Sequence, residues 1–129
     1  MTVYNFGSIN IDYVYRVKRF VQPGETLASE SLETILGGKG ANQSVALARA
    51  GARVVHLGRI GSIDQWVVDA LAEYGVDTTR IEAMQSPSGH AIIQVDSQGE
   101  NAIVLHGGAN QSFDSAKIAD LLSDAKPGD

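Results

Sequence analysis

The densest chemistry-bearing run in the 129-residue sequence is Gly37-Gly38-Lys39-Gly40-Ala41-Asn42-Gln43. Glycines placed just before a helical stretch strip side chains from the backbone. They leave amide N–H groups and the positive end of a helix dipole facing outward, so a polar ligand can approach. Two nucleotide-binding patterns do not fit. A phosphate-binding P-loop needs glycine five positions before the one preceding lysine, and serine or threonine after the lysine, where this chain has Glu33 and Gly40. A dinucleotide-binding series starting at Gly38 has Gln43 in place of its third glycine. A tight turn carrying a surface lysine is the plain alternative, although the glycines around Lys39 are more than a turn requires.

Asn10 and Asp12 form the second constellation. Two residues apart on an extended strand, they share a face at roughly 6.6 Å, comparable with the hydroxyls spread across a small sugar. An ionised aspartate accepts from two hydroxyls at once and an asparagine both donates and accepts, so the pair suits polyol recognition. The bland reading puts both on the wet side of the strand. His56, His90 and His106 fall on separate segments without a carboxylate or second histidine at ligand spacing, so no metal centre is expected. Ser8 and Ser62 lack a partnered base, and a hydrolase triad has no support. Asp64 and Asp69 read as capping and solvating a helix, and Trp66 as a packing residue. Tyr13 and Tyr15 share the face opposite Asp12, where they pack or cover an interface.

These groups need elements to hold them. Residues 3–6 begin a strand that runs into Gly7-Ser8, and residues 9–21 alternate as a second extended run. Pro23-Gly24 then turns the chain, and residues 32–36 return into the glycine run. Residues 41–50 read as a helix with apolar residues all round, hence buried, with Gly51 as its cap. Residues 53–57 form a strand closed by Gly58, and residues 63–74 form a one-sided helix ended by Gly75. This alternation is α/β grammar. Residues 90–96 and 101–106, joined by Ser97-Gln98-Gly99-Glu100, read as a hairpin that suits an accessory sheet better than a parallel core. Residues 116–122 close as a helix capped from within 110–114.

Composition narrows the classes further. A chain of 129 residues with 43% hydrophobic side chains can bury a core of its own. Without cysteine there is neither a disulfide framework nor a thiolate metal site. Fifteen acids against ten bases supply no basic surface for nucleic acid. No apolar run approaches the ~20 residues of a membrane span, and the N-terminus lacks a secretory pattern, so the expected location is the cytosol with no membrane partner.

Taken in order, Gly7-Ser8-Ile9-Asn10-Ile11-Asp12, Pro23-Gly24-Glu25-Thr26, Gly37 through Gln43 and Ala48-Arg49-Ala50-Gly51-Ala52 closely resemble the first part of ribokinase and the PfkB carbohydrate kinases. The resemblance covers essentially the whole chain. It implies a ribokinase-like α/β domain, here its N-terminal part only, over residues 1–129, with a parallel-sheet core and a small β-sheet lid built from about 12–38 and 88–108. By position, Asn10 and Asp12 match the family's hydroxyl ligands, and Gly38, Lys39, Gly40 and Asn42 match its sugar-binding loop. The implied reaction transfers the γ-phosphoryl of ATP to a sugar hydroxyl with Mg²⁺ and a possible monovalent cation. The form of the loop favours ribose. After Gly61 the chain has Ser62-Ile63-Asp64-Gln65-Trp66 where the family commonly shows an aspartate-rich stretch ending in glycine.

Family members are roughly twice as long or more. Their catalytic aspartate, glycine-alanine-glycine-aspartate anion hole, nucleotide site and cation site match no segment here, so no catalytic residue is assigned and the chain alone is expected to be inactive. Self-association through the lid or an open sheet edge, as a homodimer for instance, is expected as well. The alternatives are a stand-alone, non-catalytic sugar-binding or regulatory module and, on the glycine run alone, an unrelated nucleotide-binding α/β domain.

Overall fold

The structure, a computed structural model, describes residues 1–129. Seven strands form two sheets: β1 (Val3–Phe6), β2 (Asn10–Arg16), β3 (Ser31–Gly37), β4 (Val54–Gly61), β5 (Asp77–Met84), β6 (Gly89–Val95) and β7 (Asn101–His106). Three α-helices accompany them: α1 (Lys39–Arg49), α2 (Gln65–Glu73) and α3 (Ser115–Leu121). The first sheet is parallel with order β1-β4-β5, and the second is mixed with order β3-β2-β6-β7.

The central strand β4 explains the layering. All eight of its residues are buried, the signature of a parallel strand covered on both faces. Val54 and Ile60 enter a core with Ile9, Ile11 and Ala41 and with Val67 and Leu71 of α2. Val55 and Leu57 point the other way, to Leu121 of α3 and to Phe113. Helices therefore cover both faces of a three-stranded sheet. The strand does not stop at Gly58 as its glycine suggests. It runs on to Gly61, because at Gly58 a Cβ would meet the Ile9 Cδ1 at 2.9 Å and the His56 ring at 3.0 Å, so glycine is there for packing.

Three other expectations are corrected. The extended run after residue 9 is strand only over Asn10–Arg16; beyond Val17, which donates to the Val95 carbonyl at 3.0 Å, it loses its neighbours and becomes a loop held by the Arg19–Glu25 ion pair. Helix α1 is buried on one side only: Gly40, Ala41 and Ser44 face inward while Asn42, Gln43 and Ala46 are exposed. Asp64 precedes α2 but makes no side-chain cap; its carboxylate accepts the Ser88 hydroxyl at 2.6 Å instead. Asp114 does cap α3, accepting from the Lys117 N–H at 2.7 Å.

In the second sheet β2 lies between β3, antiparallel, and β6, parallel, with Asp12 opposite Ile35 and Ala91. Residues opposite one another share a face. One face therefore carries Asn10 and Asp12 with Ile35 and Leu105, and the other carries Tyr13 and Tyr15 with Ile92.

Candidate functional site

The sharp link from β1 to β2 brings Ser8 and Asn10 to the end of the parallel sheet where β1 finishes. Ligands of open α/β sheets gather at the carboxyl ends of strands. The glycine run docks onto this link by its backbone. Ala41 N–H donates to the Ser8 carbonyl at 3.0 Å. The backbones of Gly7 and Gly40 touch, since a Cβ on Gly40 would lie 2.6 Å from the Gly7 Cα. Gly38 takes φ 94°, where side-chain-bearing residues are strained, and its missing Cβ leaves room for the Ser8 carbonyl and the Asn10 N–H at 2.7 and 2.8 Å. Bend and strand are thereby one surface.

On that surface the Asp12 carboxylate lies over Gly37, where a Cβ would meet its Oδ2 at 2.2 Å. Burial pushes the Asp12 carboxyl above its usual range, as expected for an acid partly withdrawn from water with no cation beside it. Asn10, level with Gly37 and Gly89 across the sheet, is half-buried and accepts a 2.9 Å hydrogen bond at Oδ1. Asn10, Asp12 and Gly38 are thus brought together, and Gly40 lies buried beneath them as the contact with Gly7. Lys39 and Asn42 are exposed on the first turns of α1; Lys39 makes no ion pair, and Asn42 borders a groove of about 400 Å³ with Thr34, Ile35, Leu36 and Trp66.

Beneath the bend runs a buried polar chain. Asn5 Nδ2 donates to the Gly40 carbonyl and to Ser44 Oγ, both at 2.8 Å. Ser44 Oγ is 2.7 Å from His56 Nδ1, and His56 Nε2 is 3.2 Å from the Gly7 carbonyl. A carbonyl can only accept, so Nε2 carries the ring proton and Nδ1 accepts from the serine hydroxyl. The neutral ring ties Gly7 to α1 and so fixes the bend.

One residue escapes sequence reasoning. Asn110, expected only as part of a helix cap, sits in a 3-10 turn (Gly108–Gln111) and reaches back to Ile9 and Asn10. The glycine pair Gly107-Gly108 ahead of it is the signal that was there to read. No group of three or more His, Asp or Glu side chains is placed to hold a metal ion.

Fold and site together describe an α/β domain whose second sheet carries a carboxylate and a carboxamide beside the glycine bend, an arrangement suited to a small polyhydroxy ligand. The pfkB family carbohydrate kinase profile matches residues 2–128, and the chain belongs to that family. Within it the relatives include ribokinases and deoxyribokinases. The ribokinase of Haemophilus influenzae is 49% identical over 107 residues, covering 81% of this chain and 35% of that protein. The Staphylococcus aureus ribokinase is 36% identical over 111 residues, covering 83% of this chain and 36% of that protein. Among solved structures, Arabidopsis thaliana ribokinase in complex with ribose and ATP matches with a TM-score of 0.80 at 29% identity, covering 94% of this chain and 41% of that one. Cryptococcus neoformans ribokinase with ADP matches with a TM-score of 0.80 at 42% identity, covering 87% of this chain and 36% of that one. The fold is ribokinase-like, and the chain spans 35–36% of the length of those two curated relatives.

Proposed function

We propose that this chain is the sugar-holding part of a ribokinase-like kinase, which transfers the γ-phosphoryl group of ATP to a hydroxyl of ribose. The carrying observation is the Asp12 carboxylate lying over the glycine bend beside Asn10. In this reading Asp12 accepts from sugar hydroxyls, Asn10 binds a neighbouring one, and Gly38 lets the sugar approach backbone N–H groups. Lys39 and Asn42 close in from α1, and Gly40 holds the bend in place. The second sheet, within 12–38 and 88–108, acts as the lid. Ribose is favoured by the ribokinase relatives and by the ribose complex of the Arabidopsis protein. A cytoplasmic location goes with a reaction that consumes ATP.

Phosphoryl transfer also needs charge neutralisation and a base near the attacking hydroxyl. Among these residues no group of three or more acidic or histidine side chains is placed together to hold Mg²⁺. No step through ATP or a cation is assigned to them. The 129-residue chain is therefore expected to bind ribose without turning over ATP. Titration calorimetry with ribose, run beside an ATP-dependent phosphorylation assay, tests both statements. Asp12→Ala should weaken ribose binding on the order of tenfold or more, since it removes a charged acceptor. An unchanged affinity, or robust turnover by the chain alone, overturns the reading. Saturable binding with no turnover in any longer form of the protein would instead favour a stand-alone binding module.

The same reading covers self-association. Ile35, Ile103 and Leu105 share the sheet face that bears Asp12 and are 47%, 55% and 64% exposed, an apolar surface suited to a second copy. Light scattering over a concentration series should show a dimer, and a monomer at every concentration would refute it.

A further inference from the structure

Three hydrogen bonds join the Asn110 side chain to the start of β2. Ile9 N–H donates to Asn110 Oδ1 at 2.9 Å, and Asn110 Nδ2 donates to the Ile9 carbonyl at 3.0 Å and to Asn10 Oδ1 at 2.9 Å. Their direction is fixed by backbone atoms. An amide N–H only donates and a carbonyl only accepts, so the end of Asn110 facing Ile9 N–H is its oxygen and the other end its nitrogen. That nitrogen has two hydrogens. One goes to the Ile9 carbonyl and the other to Asn10, whose facing atom must then be an acceptor. The Nδ2 of Asn10 is left turned away from Asn110.

We propose that Asn110 is a positioning residue that fixes which way the Asn10 carboxamide faces, turning its NH₂ group toward the substrate. The proposal rests on the sugar-site reading above. With its oxygen held by Asn110, Asn10 presents N–H to one hydroxyl oxygen of the sugar while Asp12 accepts from another hydroxyl, so the pair sets a donor beside an acceptor in a fixed order. A deoxy sugar lacking the hydroxyl that faces Asn10 leaves a donor unpaired and is disfavoured. Gly89 belongs to the same device. A Cβ there would meet Asn110 Nδ2 at 2.1 Å and Asn10 Oδ1 at 2.6 Å, so any side chain would break the Asn10–Asn110 bond.

The test begins with wild-type chain, uniformly labelled with ¹⁵N and free of sugar. Side-chain amide hydrogen exchange should show the Asn110 NH₂ group protected and the Asn10 NH₂ group exchanging freely. A protected Asn10 group, or a freely exchanging Asn110 group, overturns the proposal. Asn110→Asp keeps an acceptor for Ile9 N–H but offers no donor, so Asn10 should swing its nitrogen toward the new carboxylate and its NH₂ group should become protected. Ribose affinity should then fall on the order of tenfold. The same substitution made on an Asn10→Ala background should change affinity less than about twofold, because in that chain there is no carboxamide left to orient. An equal loss in both backgrounds assigns Asn110 a purely structural role and overturns the proposal. If wild-type chain does not bind ribose, the sugar-site reading fails, while the exchange measurement still decides whether Asn110 sets the orientation of Asn10. If Asn110→Asp does not fold, the wild-type exchange pattern decides alone.

Discussion

Gly40→Ala is expected to lower the stability of the chain by about 2 kcal/mol and to abolish ribose binding. A Cβ at this position would lie 2.5 Å from the Gly7 carbonyl carbon, 2.6 Å from the Gly7 Cα and 2.6 Å from the Ser8 nitrogen. All three are backbone atoms and none can swing aside, so α1 must move away from the β1–β2 link. Overpacking of this kind costs typically about 1–3 kcal/mol, and the upper end applies where backbone meets backbone. Alanine is the better helix former by ~1 kcal/mol, which offsets part of the loss but does not reverse it. Displacing α1 would also stretch the bonds from Ala41 N–H to Ser8 and from Asn5 to the Gly40 carbonyl, which set the bend against Asn10. Urea unfolding gives the stability and titration calorimetry the binding. A Gly40→Ala chain as stable as wild type that still binds ribose would show that the bend is not held by this contact.

The second large effect is acid destabilisation through His56. The ring is fully buried, and burial lowers its pKa from 6.5 to about 4, against a smaller opposing pull from the Gly7 carbonyl. The unfolded chain binds this proton more tightly than the folded one does. Stability is therefore full above pH 6.5, falls as pH drops below that value, and has lost its whole contribution by about pH 4. Each tenfold difference in proton affinity between the folded and unfolded chain is worth ~1.4 kcal/mol, so the loss is roughly 3 kcal/mol. Carboxylates also titrate near pH 4, so the comparison needs a non-titrating variant. His56→Gln should be less stable than wild type at pH 7, yet lose roughly 3 kcal/mol less than wild type between pH 7 and pH 4. Parallel pH profiles for the two proteins would remove His56 as the origin.

The parts of the fold legible in sequence were those carried by local pattern. Glycine followed by a helix, the alternation of β2, and the hairpin of β6 and β7 can each be read within a single short stretch of chain, and Asn10 and Asp12 stand out on β2 because their spacing puts them on one face. What could not be read depends on distant partners. Strand β5 begins Asp77-Thr78-Thr79-Arg80, a polar run that becomes strand only because β4 offers it an edge. The run after residue 9 keeps alternating past Arg16 but stops being strand where β6 ends at Val95. Gly58 looks like a terminator until Ile9 and His56 are seen against it. The pair Gly107-Gly108 marks a turn ahead of Asn110 but not the role of Asn110, since every group its side chain bonds lies on the far side of the sequence.

The parallel pairing of β2 with β6 also bears on the order of assembly. Residue 10 sits opposite residue 89, and the Asn110 side chain closes the same joint from later still. Contacts between segments so far apart in the chain form slowly, because a large loop must close before any bond rewards it. During synthesis, Asn10 and Asp12 leave the ribosome early and wait, with an unpaired β2 edge, until the hairpin emerges. The candidate sugar site is consequently among the last regions of this chain to reach its native arrangement, and the span between the emergence of β2 and β6 leaves the nascent chain open to aggregation.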